Sequence, residues 1–343
     1  MVSNFLQKLN LATKTQRHKG KCVAFFYLVP LCLRGKPFSQ RSWEKIFLLN
    51  FNKPAMTGQT KKRLKWSFLI FLLCWIVMAQ SCMKFRISDS KAKLEFEQKG
   101  LHVSFHYTEV NEKGLHYAKS GSDTLPTLFF IHGSPGSWDA FKIYMMDTAL
   151  LQHFRMISID RPGFGYSGFG TALHLDEQAV LINTIIEKEN NNKPLHLVGH
   201  SIGGPVIVKL AQLYPDEISS LTVLAGSISP TDEPKEYWRY LFLHTPLHIL
   251  MPGAFAPSND EIVYFKKDLY RLDTGYAAIK MPVTFIHGDA DKFVTVKNVD
   301  YGKKKLVNNP NVKVIIIPAA SHFIPWEHFD IIKEHLLGLS AKN

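Results

Sequence analysis

The pattern of apolar and polar residues predicts strands that alternate with helices from residue 101 to the end of the chain. Short apolar runs rich in β-branched and aromatic residues predict eight strands, at residues 101–109, 114–119, 127–131, 155–160, 195–199, 221–225, 283–287 and 312–318. Apolar positions at helical spacing predict helices at residues 138–151, 174–189, 202–213, 294–306 and 323–337. The alternation is typical of an α/β fold, with a mostly parallel sheet flanked by helices and an antiparallel hairpin at its start. In such a sheet, ligands bind at the carboxyl ends of the strands.

A basic cluster and a short apolar run precede this pattern. Lys61-Lys62-Arg63-Leu64-Lys65 is followed by apolar residues 66–79 and then by Gln80-Ser81-Cys82. The run is shorter than the ~20 residues that a membrane-spanning helix needs, and the order basic, apolar, small is typical of a secretory signal. The ending resembles a bacterial lipobox, which implies that Cys82 is lipidated and becomes the mature N-terminus. An uncleaved membrane anchor and a buried core helix are the alternatives.

The residues before Met56 have no sustained helical or strand period and carry ten lysines and arginines against one acid. Because a signal works only at an N-terminus, the sequence favours Met56 as the true start and residues 1–55 as an over-extended translation. A genuine basic arm or a second membrane segment is the alternative. Residues 83–100 follow the leader at 56–82, and their polar character predicts a mobile linker before the domain at 101–343.

The net charge of +12 does not belong to the folded domain. Residues 1–90 carry 16 lysines and arginines against two acids, whereas the rest of the chain carries 25 against 27. A balanced domain offers no basic surface for phosphate backbones, so nucleic acid is not an expected partner. All four cysteines lie within the first 82 residues, which excludes disulfides and thiolate metal sites from the domain.

One strand-turn-helix segment carries the pattern of a nucleophile. Gly199-His200-Ser201-Ile202-Gly203 joins the predicted strand at 195–199 to the predicted helix at 202–213. Ser201 is expected on a sharp, strained turn, where a Cβ at either glycine would collide with neighbouring backbone. A glycine-rich turn with an incidental serine is the alternative.

This segment resembles the nucleophile elbow of the α/β-hydrolase superfamily, and the resemblance covers nearly all of residues 101–340. It implies an oxyanion hole made by two backbone N–H groups, that of Ser134 in the motif His132-Gly133-Ser134-Pro135-Gly136 and that of Ile202. Residues 160–167 resemble the D-x-x-G-x-G-x-S loop of the superfamily, for which a structural role is expected.

The resemblance also implies an acid and then a base further along the chain. Asp291 follows the seventh predicted strand in a G-x-x-D loop, and Asp289 on the same loop is its rival. His322 follows the last predicted strand and is the expected base. No cofactor and no metal ion are implied. Five other histidines have spacings compatible with metal binding but are interpreted as surface or core residues: His102, His106, His116, His244 and His248.

A long connection at residues 227–280 separates the sixth and seventh predicted strands and predicts a helical cap over the site. Its apolar residues indicate either the roof of an apolar pocket or the packing of the cap onto the core. They are Trp238, Tyr240, Leu241, Phe242, Leu247, Ile249, Leu250, Met251 and Phe255. Glu233 and Glu236 suggest instead a site for a substrate amine, as in the proline iminopeptidase branch of the superfamily.

These features predict a serine hydrolase that cleaves an ester, or a related acyl bond, of a small apolar molecule through an acyl-enzyme. Serine at the elbow argues against epoxide hydrolases and haloalkane dehalogenases, relatives that carry aspartate there. An aminopeptidase, an acyltransferase and a non-catalytic binding protein are the competing functions. The leader predicts a membrane-anchored protein of the bacterial cell envelope with its catalytic domain outside the cytoplasm. The sequence leaves the oligomeric state open.

Overall fold

The computed structural model describes residues 57–110, 113–243 and 245–340, without the side chain of Cys82. The chain divides into two compact units, Met1–Leu64 and Lys65–Asn343. Of the first unit only residues 57–64 are described, and all but the first of these are helical. The predictions for residues 1–55 and for lipidation of the Cys82 side chain therefore lie outside the described residues.

Eight strands form one sheet in the second unit. They are β1 (Ser104–Val110), β2 (Lys113–Ser120), β3 (Thr127–Ile131), β4 (Arg155–Ile159), β5 (Leu195–His200), β6 (Ser220–Leu224), β7 (Val283–Gly288) and β8 (Val312–Ile317). The strand order is β1-β2-β4-β3-β5-β6-β7-β8. β2 pairs antiparallel with β1 and β4, whereas β3 to β8 run parallel. The predicted mostly parallel sheet with an antiparallel hairpin at its start is confirmed.

The described residues form ten α-helices, most of which cover the two faces of this sheet. They are α1 (Gly58–Cys82), α2 (Asp89–Glu97), α3 (Lys142–Met145), α4 (Thr148–His153), α5 (Leu175–Lys188), α6 (Gly203–Leu213), α7 (Phe255–Leu272), α8 (Lys297–Lys305), α9 (Ile324–Glu327) and α10 (Phe329–Ser340). Successive strand residues point to opposite faces, so Phe129 and Ile131 of β3 join one core with α5 and α6. Leu128 and Phe130 join the other core with α2 and α10.

The predicted mobile linker at 83–100 is wrong. Residues Asp89–Glu97 form α2, and Ala92 and Phe96 are fully buried in the second core. The two side chains are four positions apart, so they lie on one face of the helix and cover the sheet.

The predicted helix at 138–151 is divided. Asp147 accepts a hydrogen bond from Leu150 N at 3.0 Å and caps a new helix, α4.

Helix α1 is longer than the apolar run at residues 66–79, which the sequence analysis interpreted as too short to span a membrane. It spans 25 residues, from ahead of the basic cluster to Cys82. Residues Gly58–Ser81 are long and apolar enough to cross a membrane, a test that signal sequences also pass. Only 6% of the apolar window is buried, so a buried core helix is not what forms here.

Before α7, the connection at 227–280 contains two short 3-10 helices, Tyr237–Leu241 and Pro246–Leu250, and a third, Tyr276–Ala278, follows α7. The second half of α7 packs into the first core through Phe265, Leu269 and Leu272. The two 3-10 helices before α7 bury no residue completely. The part of the connection before α7 is therefore attached more loosely than α7 itself.

Candidate active site

The turn between β5 and α6 holds Ser201 in a backbone conformation that L-residues rarely adopt. Its φ is +55°, and its N–H donates to Leu224 O at 3.0 Å. A Cβ at Gly199 would lie 2.2 Å from Gly203 O, and a Cβ at Gly203 would lie 2.2 Å from Ile131 O. Both positions exclude a side chain, so the two glycines allow the strained turn that presents the Ser201 hydroxyl.

An aspartate and a histidine come together at the ends of β7 and β8. Asp291 Oδ2 lies 2.7 Å from His322 Nδ1, and Asp291 Oδ1 accepts from the N–H groups of Phe293 and Val294 at 2.8 and 2.9 Å. Burial alone would raise the pKa of Asp291, but hydrogen bonds from His287 and His322 and from the backbone outweigh it and hold that pKa well below its usual range. Asp291 is therefore a fixed anion against the imidazole.

Asp289 does not share this position. Its side chain is exposed and accepts from Ala319 N at 2.7 Å. Two residues along the same loop thus have different partners, and Asp291 is the one that contacts His322.

Two backbone amides of residues that line the cavity with Ser201 have no acceptor in the described structure. Among the described residues, neither Ser134 N–H nor Ile202 N–H donates a hydrogen bond, and both residues line the cavity that contains Ser201. A Cβ at Gly133 would lie 2.9 Å from Ser201 Cβ, so the loop after β3 passes directly over the nucleophile turn. Both amides are therefore free to donate to a ligand in the cavity.

The loop at residues 160–167 holds the segment that follows β3 in place. Asp160 accepts from the N–H groups of Trp138 at 2.7 Å and Tyr166 at 2.9 Å, which fixes the loop against the segment that follows β3. Arg161 Nη2 donates to Gly133 O at 3.1 Å, and Arg161 N donates to His132 Nε2 at 3.0 Å. Burial and the nearby Arg161 cation hold the pKa of His132 well below its usual range, so this imidazole stays neutral and accepts.

Ser201 and His322 line one cavity of about 960 Å³ but are not hydrogen bonded to each other. Among the described residues, the bond that His322 makes through its side chain is the one to Asp291. Catalytic hydrogen bonds are often long or misaligned without substrate and tighten in the complex. The structure thus places Ser201 and His322 on the lining of one cavity, with Asp291 bonded to His322 and no hydrogen bond between Ser201 and His322.

A family model described as the alpha/beta hydrolase fold matches residues 126–247, the stretch that contains the Ser134 loop and the Ser201 turn. The chain has the α/β-hydrolase fold. Epoxide hydrolase 1 of Caenorhabditis elegans is 30% identical over 118 residues, which is 34% of this chain and 28% of that protein. A 2-hydroxy-6-oxononadienedioate/2-hydroxy-6-oxononatrienedioate hydrolase of Comamonas testosteroni is 26% identical over 281 residues, 68% of this chain and 96% of that one.

Among solved structures, that of a membrane phospholipase A, described as a bacterial virulence factor, superposes with a TM-score of 0.51 and 18% identity. The superposition covers 80% of this chain and 98% of the phospholipase chain. The relatives include several kinds of hydrolase, so they establish that this protein is a hydrolase and leave its substrate to the chemistry of its own cavity.

The cavity of this hydrolase has an aromatic wall that the sequence did not reveal. Phe293, Phe323 and Trp326 line it beside His322, with Phe293 and Phe323 5.6 and 5.9 Å from the imidazole centroid. Phe85, from the segment predicted to be a linker, reaches the cavity and packs edge-on against Phe255 at 5.2 Å. The Phe85–Phe255 and Phe293–His322 contacts join residues far apart in the sequence, and no local pattern marks them.

Of the other candidate histidines, His102 is exposed and three have ordinary partners. His116 pairs with Asp160 at 2.7 Å, His248 with Asp260 at 3.1 Å, and His106 with Ser104 at 2.8 Å. His244 lies outside the described residues. Within the described residues, no group of three or more histidine, cysteine or acidic side chains could hold a metal ion.

Proposed function

We propose that this hydrolase cleaves an ester, or a related acyl bond, of a small apolar molecule through an acyl-enzyme on Ser201. One observation carries the proposal: Ser201 is held on a strained turn beside two amides without acceptors, in the same cavity as the His322–Asp291 pair. A serine, a base oriented by a buried carboxylate and two preorganised donors are the parts that acyl transfer needs.

In the proposed reaction, His322 Nε2 removes the Ser201 proton while Oγ attacks the acyl carbonyl. The Ser134 and Ile202 amides stabilise the tetrahedral oxyanion, and the protonated His322 then donates to the leaving oxygen. Water attacks the acyl-enzyme with His322 again as the base. Asp291 holds Nδ1 protonated throughout, and its lowered pKa keeps it ionised beside the imidazolium.

The cavity favours an apolar acyl group over a substrate amine. Glu236 is already paired with Arg239 at 2.6 Å, so its charge is compensated. Burial raises the pKa of Glu233, which accepts a hydrogen bond from Ser227, so it is a poor anion for binding an ammonium group. The aromatic wall beside His322 supports an apolar substrate. An aminopeptidase is therefore the weaker candidate.

We also propose that the N-terminal segment holds the catalytic domain at the membrane of the cell envelope, outside the cytoplasm. Lipidated Cys82 and an uncleaved α1 are the two possible anchors. Contacts of Trp75 and Gln80 with residues 249–251 support the uncleaved helix, because processing at Cys82 would remove both side chains.

Labelling with a fluorophosphonate tests the nucleophile without a guess at the substrate. The full-length protein should be labelled on Ser201, and Ser201→Ala should abolish labelling. Ser134→Ala is the matched control: it removes another hydroxyl from the same cavity but keeps the backbone N–H, so labelling should persist. An acyltransferase would label equally, and adding alcohol acceptors during turnover distinguishes it by an acylated acceptor in place of free acid.

A further inference from the structure

Most of the apolar cap residues neither roof the cavity nor pack onto the core. Between residues 237 and 249, six large apolar side chains are exposed, and we call these the cap face: Tyr237, Trp238, Tyr240, Leu241, Leu247 and Ile249. Trp238, Leu241 and Ile249 are each more than half exposed, at 52%, 57% and 53%. None of the six lines the cavity of about 960 Å³. Several exposed large apolar side chains this close together in the sequence indicate an interaction site.

The cap face adjoins the last turns of α1. Trp75 Nε1 donates to Leu250 O at 3.3 Å, and Gln80 Nε2 donates to Ile249 O at 3.2 Å and Met251 O at 2.9 Å. Residues 249–251 thus lie alongside α1 between Trp75 and Gln80. At a rise of about 1.5 Å per residue, Trp75 is about 10 Å before Cys82 along the helix. If α1 lies in a bilayer, this edge of the cap reaches the depth of the interface.

A lipid on Cys82 as the anchor would also place this edge of the cap at the membrane interface. The next residue, Met83, accepts from Ala254 N through its carbonyl oxygen at 2.8 Å. A Cβ at Gly253 would lie 2.2 Å from that oxygen, so the chain passes tightly against the cap. Either anchor therefore ends at a residue whose neighbour is bonded to the cap, with no spacer to lift the cap from the membrane.

Residues 84–86 lead from the anchor to the cavity. Lys84 Nζ lies 5.4 Å from the centroid of the Phe169 ring, and the Arg86 guanidinium lies 4.1 Å from that of Tyr166. Between these cations, Phe85 contacts Phe255, and both line the cavity. Lys84 and Arg86, next to the anchor, are cations that suit anionic lipid headgroups. The Phe85–Phe255 pair provides an apolar path from the surface to Ser201.

We propose that the cap face docks on the lipid bilayer and that the cavity takes its acyl ester from the membrane. Tryptophan and tyrosine favour the membrane interface, where one edge of the ring is apolar and the other is hydrated. The cap face carries three such rings beside Leu241, Leu247 and Ile249, next to the anchor. The docking of the cap face does not depend on the proposed ester hydrolysis, whereas the membrane origin of the substrate rests on it.

Fluorescence quenching tests the docking directly. Full-length protein is placed in phosphatidylcholine vesicles with brominated or ordinary acyl chains, and the emission of Trp238 is taken as the difference between wild type and Trp238→Phe. Bromine should quench that difference signal. The same difference for Trp138, which is fully buried in the core, should not be quenched. An unquenched Trp238 signal would overturn the docking. Burial of Trp238 against a second copy or another protein would also overturn it.

A kinetic comparison tests the origin of the substrate. Leu241→Asp with Ile249→Asp should lower hydrolysis of a fluorogenic acyl ester embedded in vesicles at least about tenfold, because two charges must enter the interface. Hydrolysis of a water-soluble butyrate ester should change less than about twofold, since neither residue lines the cavity. Val307→Asp is the matched control, because Val307 is an exposed apolar residue outside the cap and should affect neither substrate.

Equal loss on both substrates, or no loss on vesicles, would overturn the membrane origin of the substrate. Failure of the proposed function has a different signature: wild-type protein would hydrolyse neither ester and would not react with fluorophosphonate, while Trp238 quenching would still report on docking.

Discussion

Arg161 and Glu261 form a buried ion pair between the loop that follows β4 and helix α7. Arg161 Nη2 lies 3.0 Å from Glu261 Oε2, and the second nitrogen contacts Oε1. The Arg161 side chain is fully buried, and its guanidinium also donates to Gly133 O at 3.1 Å. A single cation therefore ties the cap helix to the loop that supplies the Ser134 amide.

Glu261→Gln should lower the free energy of unfolding by about 3 kcal/mol, because it leaves Arg161 as a buried charge without its counterion. Urea unfolding of the full-length protein measures this. Asp176→Asn is the control: its pair with Lys209 at 2.6 Å involves a half-exposed carboxylate, and its loss should cost less than about 1 kcal/mol. Equal effects of the two substitutions would contradict the structural role given to Arg161.

Asp291→Asn should lower kcat/KM for a soluble ester by about 10³- to 10⁴-fold, because an amide at this position no longer fixes the His322 tautomer. Asp289→Asn should change it less than about tenfold, since Asp289 bonds to Ala319 N and not to His322. Circular dichroism shows whether each variant is folded. The reverse ranking in two folded variants would move the acid to Asp289.

Stability should fall in mild acid through His196. Burial lowers the pKa of this imidazole from 6.5 to about 4, so between these values the unfolded chain binds a proton that the folded chain does not. This contribution is fully present above pH 6.5 and is lost as the pH falls towards 4. At pH 5 the loss of unfolding free energy amounts to about 2 kcal/mol.

His196→Gln should therefore reduce the loss of unfolding free energy between pH 7 and pH 5, measured by urea titration at both values. His153→Gln is the matched control, because His153 is exposed. The comparison uses the change between the two pH values for each variant, so a general destabilisation by His196→Gln cancels. An unchanged pH dependence would refute the assignment.

The sequence predicted the strands better than the helices that cover them. Strand β3 matches its prediction at both ends because a continuous apolar run flanked by polar residues has one interpretation. Helix α2 was missed because Ala92 and Phe96 are too sparse a stripe for a periodic signal, and their burial is decided by the sheet face beneath them. Local pattern does not contain that information.

The same distinction applies to the site. Ser201, Asp291 and His322 follow strands at positions where the superfamily places its triad, so motif and order sufficed to nominate them. Phe85 and Trp326 reach the cavity only through the tertiary fold. The exposure of the cap face was not predictable either, because an apolar stretch has the same composition whether it faces a core, a pocket or a membrane.

The fate of α1 gives the last prediction. Ala79 is fully buried, and Trp75 and Gln80 donate to three carbonyl oxygens of residues 249–251. These contacts favour an uncleaved anchor, so intact-mass analysis of protein purified from membranes should find residues 66–86 present and Cys82 unmodified, with the N-terminus at or near Met56. Gln80→Ala should then lower thermal stability, because the carbonyl groups of Ile249 and Met251 lose their donor.

Under lipoprotein processing, Gln80 is absent from the mature protein, and Gln80→Ala would leave both mass and stability of that form unchanged. A mature N-terminus at lipidated Cys82 would therefore overturn the uncleaved anchor and restore the prediction made from the lipobox-like ending.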